Sequence, residues 1–281
     1  MFKILRNMAV VAVLMVGAYL GFHYQDQILD WYYLRGYTPP ARVAELADKA
    51  TMTENGRRIF YRAKPQMLKD RPSLVKSCRV EGEKTIELGC YLSTNQIFLL
   101  NIQQPDLKDE EIVTAAHEAL HAVYDRMSNK ERREINTRLR AAAATITDSS
   151  LAERLSAYRQ LEPGEEDNEL HSIIGTEYPN LSPELERHYL KYFTNRAQIV
   201  SYSQSFNQRF DGLHKQIVQL DAEIQAIKLR MRQYLEAGRI STHNALVPHV
   251  NELITEYNQK VEQYNQYASD LLGQQAPTGS E

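Results

Sequence analysis

Leu107-Lys108-Asp109-Glu110-Glu111-Ile112-Val113-Thr114-Ala115-Ala116-His117-Glu118-Ala119-Leu120-His121-Ala122-Val123-Tyr124-Asp125-Arg126-Met127 reads as one amphipathic helix with a chemical motif inside it. Ile112, Val113, Ala116, Leu120 and Val123 recur at helical spacing and form one apolar stripe. Asp106 or Asp109 is placed to cap the N-terminus, and acids fill the first turn, where the helix dipole favours them. His117 and His121 are four apart, so about 40° of helical rotation separates them. Both imidazoles can then reach one Zn²⁺, with one zinc expected per chain. Glu118 lies one step round, beside the metal rather than on it, where it can take a proton from an activated water. The histidines border the apolar stripe and are expected to be partly buried.

Working outward, Thr85–Leu92 and Gln96–Ile102 flank Ser93-Thr94-Asn95, a hairpin signal just before the motif. Downstream, Asn129–Leu161 reads as helix with a possible break at Thr147-Asp148. Glu162-Pro163-Gly164 punctuates, and Glu165 to Tyr178 is a second helix for the site. Ser182-Pro183-Glu184 starts another, with serine as cap and proline in the first turn. Upstream, Thr38-Pro39-Pro40 opens a short helix from Ala41 to Ala50, and Arg57–Tyr61 is β-favouring.

A catalytic zinc usually takes three protein ligands and one water. The candidates for the third are Asp125, Glu165, Glu166, Asp167, Glu169, His171 and Glu177. Three ligands from one helix make poor tetrahedral geometry, so Asp125 fits better as a partner for an imidazole N–H. A carboxylate such as Glu169 would offset part of the metal charge. His171 would instead give a three-histidine site, and Glu177, eight residues past Glu169, could brace it.

The sequence resembles the gluzincin group of zinc metallopeptidases over the hairpin through about Tyr178. In the thermolysin-like branch of that group the second helix reads N-E-x-x-S, and Asn168-Glu169-Leu170-His171-Ser172 matches those positions. The resemblance implies that Glu169 is the third ligand and that Glu118 is general base and acid. It also implies a small sheet whose edge strand pairs with an extended substrate. The aspartate that follows the serine in that branch is replaced by Ile173, and the separation from His121 is longer. Tyr178, His171 and His188 are the groups from which oxyanion support could come.

Net charge is −3 with no basic stripe, which excludes a nucleic-acid footprint. Lys3 and Arg6 precede an apolar run, Met8 to Phe22, which reads as a membrane anchor or a signal peptide at 1–23. An anchor predicts a single-pass protein with a cytoplasmic N-terminus and an extracytoplasmic catalytic domain; cleavage predicts secretion. Cys78 and Cys90 are the only cysteines and are expected to form a disulfide around Glu81-Gly82-Glu83.

From Ala197 to Leu272 apolar residues recur at three and four: Phe206, Phe210, Leu213, Ile217, Leu220, Ile224, Ile227, then Leu253, Tyr257, Val261, Tyr264. Ala237-Gly238-Arg239 interrupts them, which predicts an antiparallel helical hairpin, a coiled coil available to a partner or a second copy. The expected organisation is a linker with a short helix over 24–50, a zincin-like domain over 51–196, the hairpin over 197–272 and a disordered tail over 273–281. The expected class is α+β, mainly helical, with a small antiparallel sheet. The function expected is a zinc metallopeptidase, an endopeptidase before an exopeptidase, acting on protein or peptide. The rival is an anchored coiled-coil interaction protein with a structural or degenerate zinc site.

Overall fold

The computed structural model of the 281-residue chain describes residues 2–78, 88–146, 155–156 and 164–272. It is mostly helical with one small sheet. Helix α1 (Phe2–His23) contains the apolar run, yet among the described residues no helix is long and apolar enough to cross a membrane. Met8–Phe22 spans only about 22 Å as helix, against a hydrocarbon core of about 30 Å, and Lys3, Arg6 and Asn7 interrupt any extension. The expected transmembrane helix is thereby overturned, and the single-pass extracytoplasmic placement built on it falls as well.

Four short elements follow: α2 (Gln25–Leu34), α3 (Ala41–Lys49), α4 (Glu54–Arg62) and β1 (Gln66–Leu68). The segment Arg57–Tyr61, read as strand, lies inside α4. Thr53 caps that helix by accepting the Gly56 N–H at 3.0 Å, and Ile59 and Phe60 are both buried, which outweighs the β-preference of the side chains. Helix α5 (Arg71–Cys78) leads to β2 (Gly89–Leu92) and β3 (Gln96–Leu100). The hairpin turn contains Asn95 at φ 60°, a left-handed position that asparagine tolerates. Cys78 and Cys90 are disulfide-bonded, tying the end of α5 to β2. Glu81-Gly82-Glu83, the proposed start of the first hairpin strand and the tail 273–281 lie outside the described residues.

The sheet order is β1-β3-β2. β2 pairs antiparallel with β3 (Cys90 opposite Phe98), whereas β1 pairs parallel (Gln66 opposite Phe98). The sheet is therefore mixed rather than antiparallel. β1 reaches β3 only after the chain has crossed through α5 and β2, so parallel pairing is geometrically available.

A 3₁₀ turn, Pro105–Leu107, leads into α6 (Lys108–Asp125), the central helix. Its residues Ile112, Ala115, Ala116, Ala119 and Leu120 share one core with Leu46, Phe60, Ile97, Leu99, Ile174, Tyr189 and Phe193. No side chain caps α6. Asp106 instead accepts from the Tyr267 hydroxyl at 3.2 Å. The acids remain in the first turn, and one of them, Glu111, is buried and accepts from the Ile102 N–H, Lys108 and Arg42.

The remaining helices are α7 (Asn129–Ala143), α8 (Glu166–Glu177), α9 (Pro183–Tyr189), α10 (Arg196–Glu236) and α11 (Ile240–Leu272). Ser128 and Glu131 form a capping box on α7, and Ser182 caps α9. The proposed break at Thr147-Asp148 falls outside the described residues. α10 and α11 meet at Gly238, φ 68°, and lie along each other: Leu220, Ile224 and Ile227 pack with Val250 and Leu253, and Phe210 contacts Tyr264.

Candidate metal centre

Two close approaches bring the site together. A Cβ on Gly175 of α8 would lie 2.4 Å from Leu120 Cδ1 and 2.6 Å from Tyr189 Cε1, so only glycine lets α8 press against α6 here. On the other flank a Cβ on Gly89 of β2 would lie 2.7 Å from Thr114 Cγ2. α6 is thus held between the edge strand β2 and α8. α8 is fixed at both ends. Asp167 accepts from Arg140 Nε at 2.9 Å and from Asn136 at 2.8 Å, and Asn136 also bonds the Tyr124 hydroxyl. At the other end the buried Arg196 donates to the Tyr178 carbonyl at 2.7 Å and pairs with Glu186. A cation at a helix C-terminus also complements the helix dipole.

His117, His121 and Glu169 converge, with one potential ligand atom from each lying within 4.8 Å of the others. His117 Nε2 is 3.3 Å from Glu169 Oε1, and His121 Nε2 is 3.4 Å from Glu169 Oε2. Ligands held about 2.0–2.1 Å from a tetrahedral metal sit roughly 3.3 Å apart, close to the separation of each imidazole nitrogen from one Glu169 oxygen. The group could therefore hold a metal ion.

The supporting contacts favour ligation. His121 Nδ1 faces Asn168 Oδ1 at 3.0 Å, while Asn168 Nδ2 donates to Glu165 Oε2 at 2.9 Å. Glu165, as a carboxylate, only accepts, which fixes the amide so that its oxygen faces the ring. In the neutral ring the His121 proton then belongs on Nδ1, so loss of the second proton frees Nε2, the nitrogen that faces Glu169.

Burial would lower the His121 pKa, but the hydrogen bond and charge of Glu169 raise it to about 9. Burial would raise Glu169, yet the two imidazoles hold it well below the usual carboxylate range. Glu118 is buried beside the group without belonging to it. Burial pushes its carboxyl up, while the imidazoles and the Tyr91 backbone pull it back.

The other expected residues have different partners. His171, fully buried, faces His188 with Nε2 to Nε2 at 2.9 Å; it is not part of the metal group. Burial and the neighbouring His188 push His171 well below the usual range, and burial lowers His188 to about 4. Asp125 accepts from the Tyr91 hydroxyl at 3.0 Å, and Asn168 is the residue that faces an imidazole nitrogen. Tyr178 terminates α8 and offers its carbonyl to Arg196. Glu177 lies two turns beyond Glu169 and outside the group. Tyr91 and Arg196 escaped the sequence reading. Each acts across the fold, and neither carries a local signal.

The described residues define a mainly helical α+β protein with a His₂–Glu group that could hold a metal ion. Comparisons with protein-family models, curated proteins and solved structures found no match.

Proposed function

We propose that this chain is a zinc metallopeptidase of zincin-like build, with His117, His121 and Glu169 as ligands and Glu118 as general base and acid. The observation that carries the reading is the convergence of those three side chains with Glu118 buried beside them and outside the ligand set. Two imidazoles and a carboxylate are a hydrolytic zinc set, and three protein ligands leave a position open, unlike a closed structural site. Bound zinc would lower the pKa of water to about 7 and polarise the scissile carbonyl. Glu118 takes the proton of the attacking water and delivers it to the leaving amine.

Elemental analysis of wild type, Glu169→Ala and Glu118→Gln tests the reading, together with hydrolysis of a mixed peptide pool. Wild type should hold about one zinc per chain. Glu169→Ala should weaken zinc by about a hundredfold or more, exceeding the loss of an outer support. Glu118→Gln should keep its zinc and lose about 10²- to 10⁴-fold in peptide turnover. Zinc retained at full strength in Glu169→Ala would remove that ligand, and equal turnover in Glu118→Gln would remove the base.

A further inference from the structure

Helix α2 buries one side chain, and it is a carboxylate. Asp30 is 2% exposed, whereas Trp31 beside it is 66% exposed and Ile28, Leu29 and Tyr32 are also open. A helix docked by packing would bury its apolar side chains and leave the acid in water. What holds α2 is a polar grip. Arg126 donates from Nη1 to Asp30 Oδ2 at 2.8 Å and from Nη2 to Oδ1 at 2.9 Å. Arg58 Nε lies 3.3 Å from Oδ2, Arg62 Nε lies 3.8 Å from Oδ1, and the Arg62 guanidinium covers the Tyr33 ring at 3.7 Å.

Three guanidiniums thus surround one carboxylate. Arg126 alone engages both oxygens, and the buried Arg58 Nε makes no hydrogen bond. The pocket has more donor capacity than Asp30 uses. Asp125, an acid close by, is engaged elsewhere, with the Tyr91 hydroxyl and Arg132. The pocket lies at the C-terminal end of α6, the helix that carries His117 and His121. Arg126 follows directly on α6, and the charges of both Arg62 and Arg126 act on the Tyr91 phenol.

We infer that Arg58, Arg62 and Arg126 form a binding pocket for the carboxylate of an acidic peptide side chain, that Asp30 occupies it from within the chain, and that α2 is the arm such a peptide displaces. Paired guanidinium forks match a carboxylate in shape and charge. α2 contributes no buried apolar side chain to resist release.

Trp31, the only tryptophan, reports directly on α2. The full chain is titrated, with zinc and without it, with an end-blocked peptide carrying one aspartate, its asparagine twin and inorganic phosphate. The aspartate peptide should shift Trp31 emission and lower its anisotropy saturably, the asparagine twin should not, and zinc should make no difference. Asp30→Asn should bind the labelled aspartate peptide about tenfold tighter or more, because the internal competitor is gone. Adding Arg126→Gln to it should abolish that gain. Equal responses to the two peptides, no gain in Asp30→Asn, or phosphate acting as well as the aspartate peptide would each overturn the assignment. If Asp30→Asn fails to fold, the wild-type Trp31 titration decides alone. The zinc-free arm keeps the outcome separate from that of the peptidase reading.

Discussion

His121 stands between two acceptors, Asn168 on Nδ1 and Glu169 on Nε2, and without a metal it shares a proton with Glu169. Its pKa of about 9 means that zinc must displace that proton at any lower pH. Apparent zinc affinity should therefore rise about tenfold per pH unit from 7 to 8 and level off near 9. A competitive chelator titration reads this directly, and a flat profile would show that His121 carries no extra proton. The metal-free fold has the opposite dependence. A histidine raised from 6.5 to about 9 contributes stability that is fully present below about 6.5 and lost as pH rises through about 9. Glu169, held low, contributes above about 4.5 and loses that contribution as pH falls. The melting temperature of chelator-treated protein should accordingly fall between pH 6.5 and 9, while the zinc-loaded protein is spared. At this scale the spacing of His117 and His121 could be read from sequence because helical period alone places them. The partners Asn168, Tyr91 and Arg196 could not, because they depend on how α8, β2 and α10 pack around α6.

Glu169 reaches the histidines because α8 lies close on α6, and Gly175 is one point of that close approach. Gly175→Val places a branched side chain against Leu120 and Tyr189, both fully buried, with no flexible surface group to yield. Overpacking of this kind costs about 1–3 kcal/mol, so urea denaturation should show a loss in that range. Zinc affinity should fall in parallel, since the displaced helix carries a ligand. A variant that lost stability but bound zinc normally would show that the site tolerates movement of α8. The elements with local signals were legible: α3 after its prolines, α9 behind Ser182-Pro183, and the break at Gly238. α4 was not, because Ile59-Phe60-Tyr61 has strand composition and only burial of Ile59 and Phe60 selects helix. β1 was not, because three residues pairing parallel with a distant strand carry no periodicity of their own.

Across the whole molecule, α10 and α11 divide into two parts that meet different neighbours. Near the body, Leu213 of α10 and Tyr267 of α11 are buried with Ile102 and Leu107, the residues that lead from β3 into α6. Tyr267 also donates to Asp106, and Arg209 donates to the Asp106 carbonyl at 2.7 Å. This part therefore bears on the start of α6, the helix that carries His117 and His121. Toward Gly238, Leu220, Ile224 and Ile227 pack with Val250 and Leu253, both on the partner helix. Two substitutions in one helix pair should then have separable effects. Ile224→Asp places a charge in a small apolar cluster and should lower the helical circular dichroism signal while leaving zinc affinity unchanged. Tyr267→Ala removes a buried aromatic and its hydrogen bond, a loss on the order of 3 kcal/mol. It should also weaken zinc, because Leu107 and the first turn of α6 lose the surface that holds them. Equal effects on zinc from both variants would mean that the pair acts on the site as one rigid body. No effect from either would leave α10 and α11 as a scaffold independent of the metal centre.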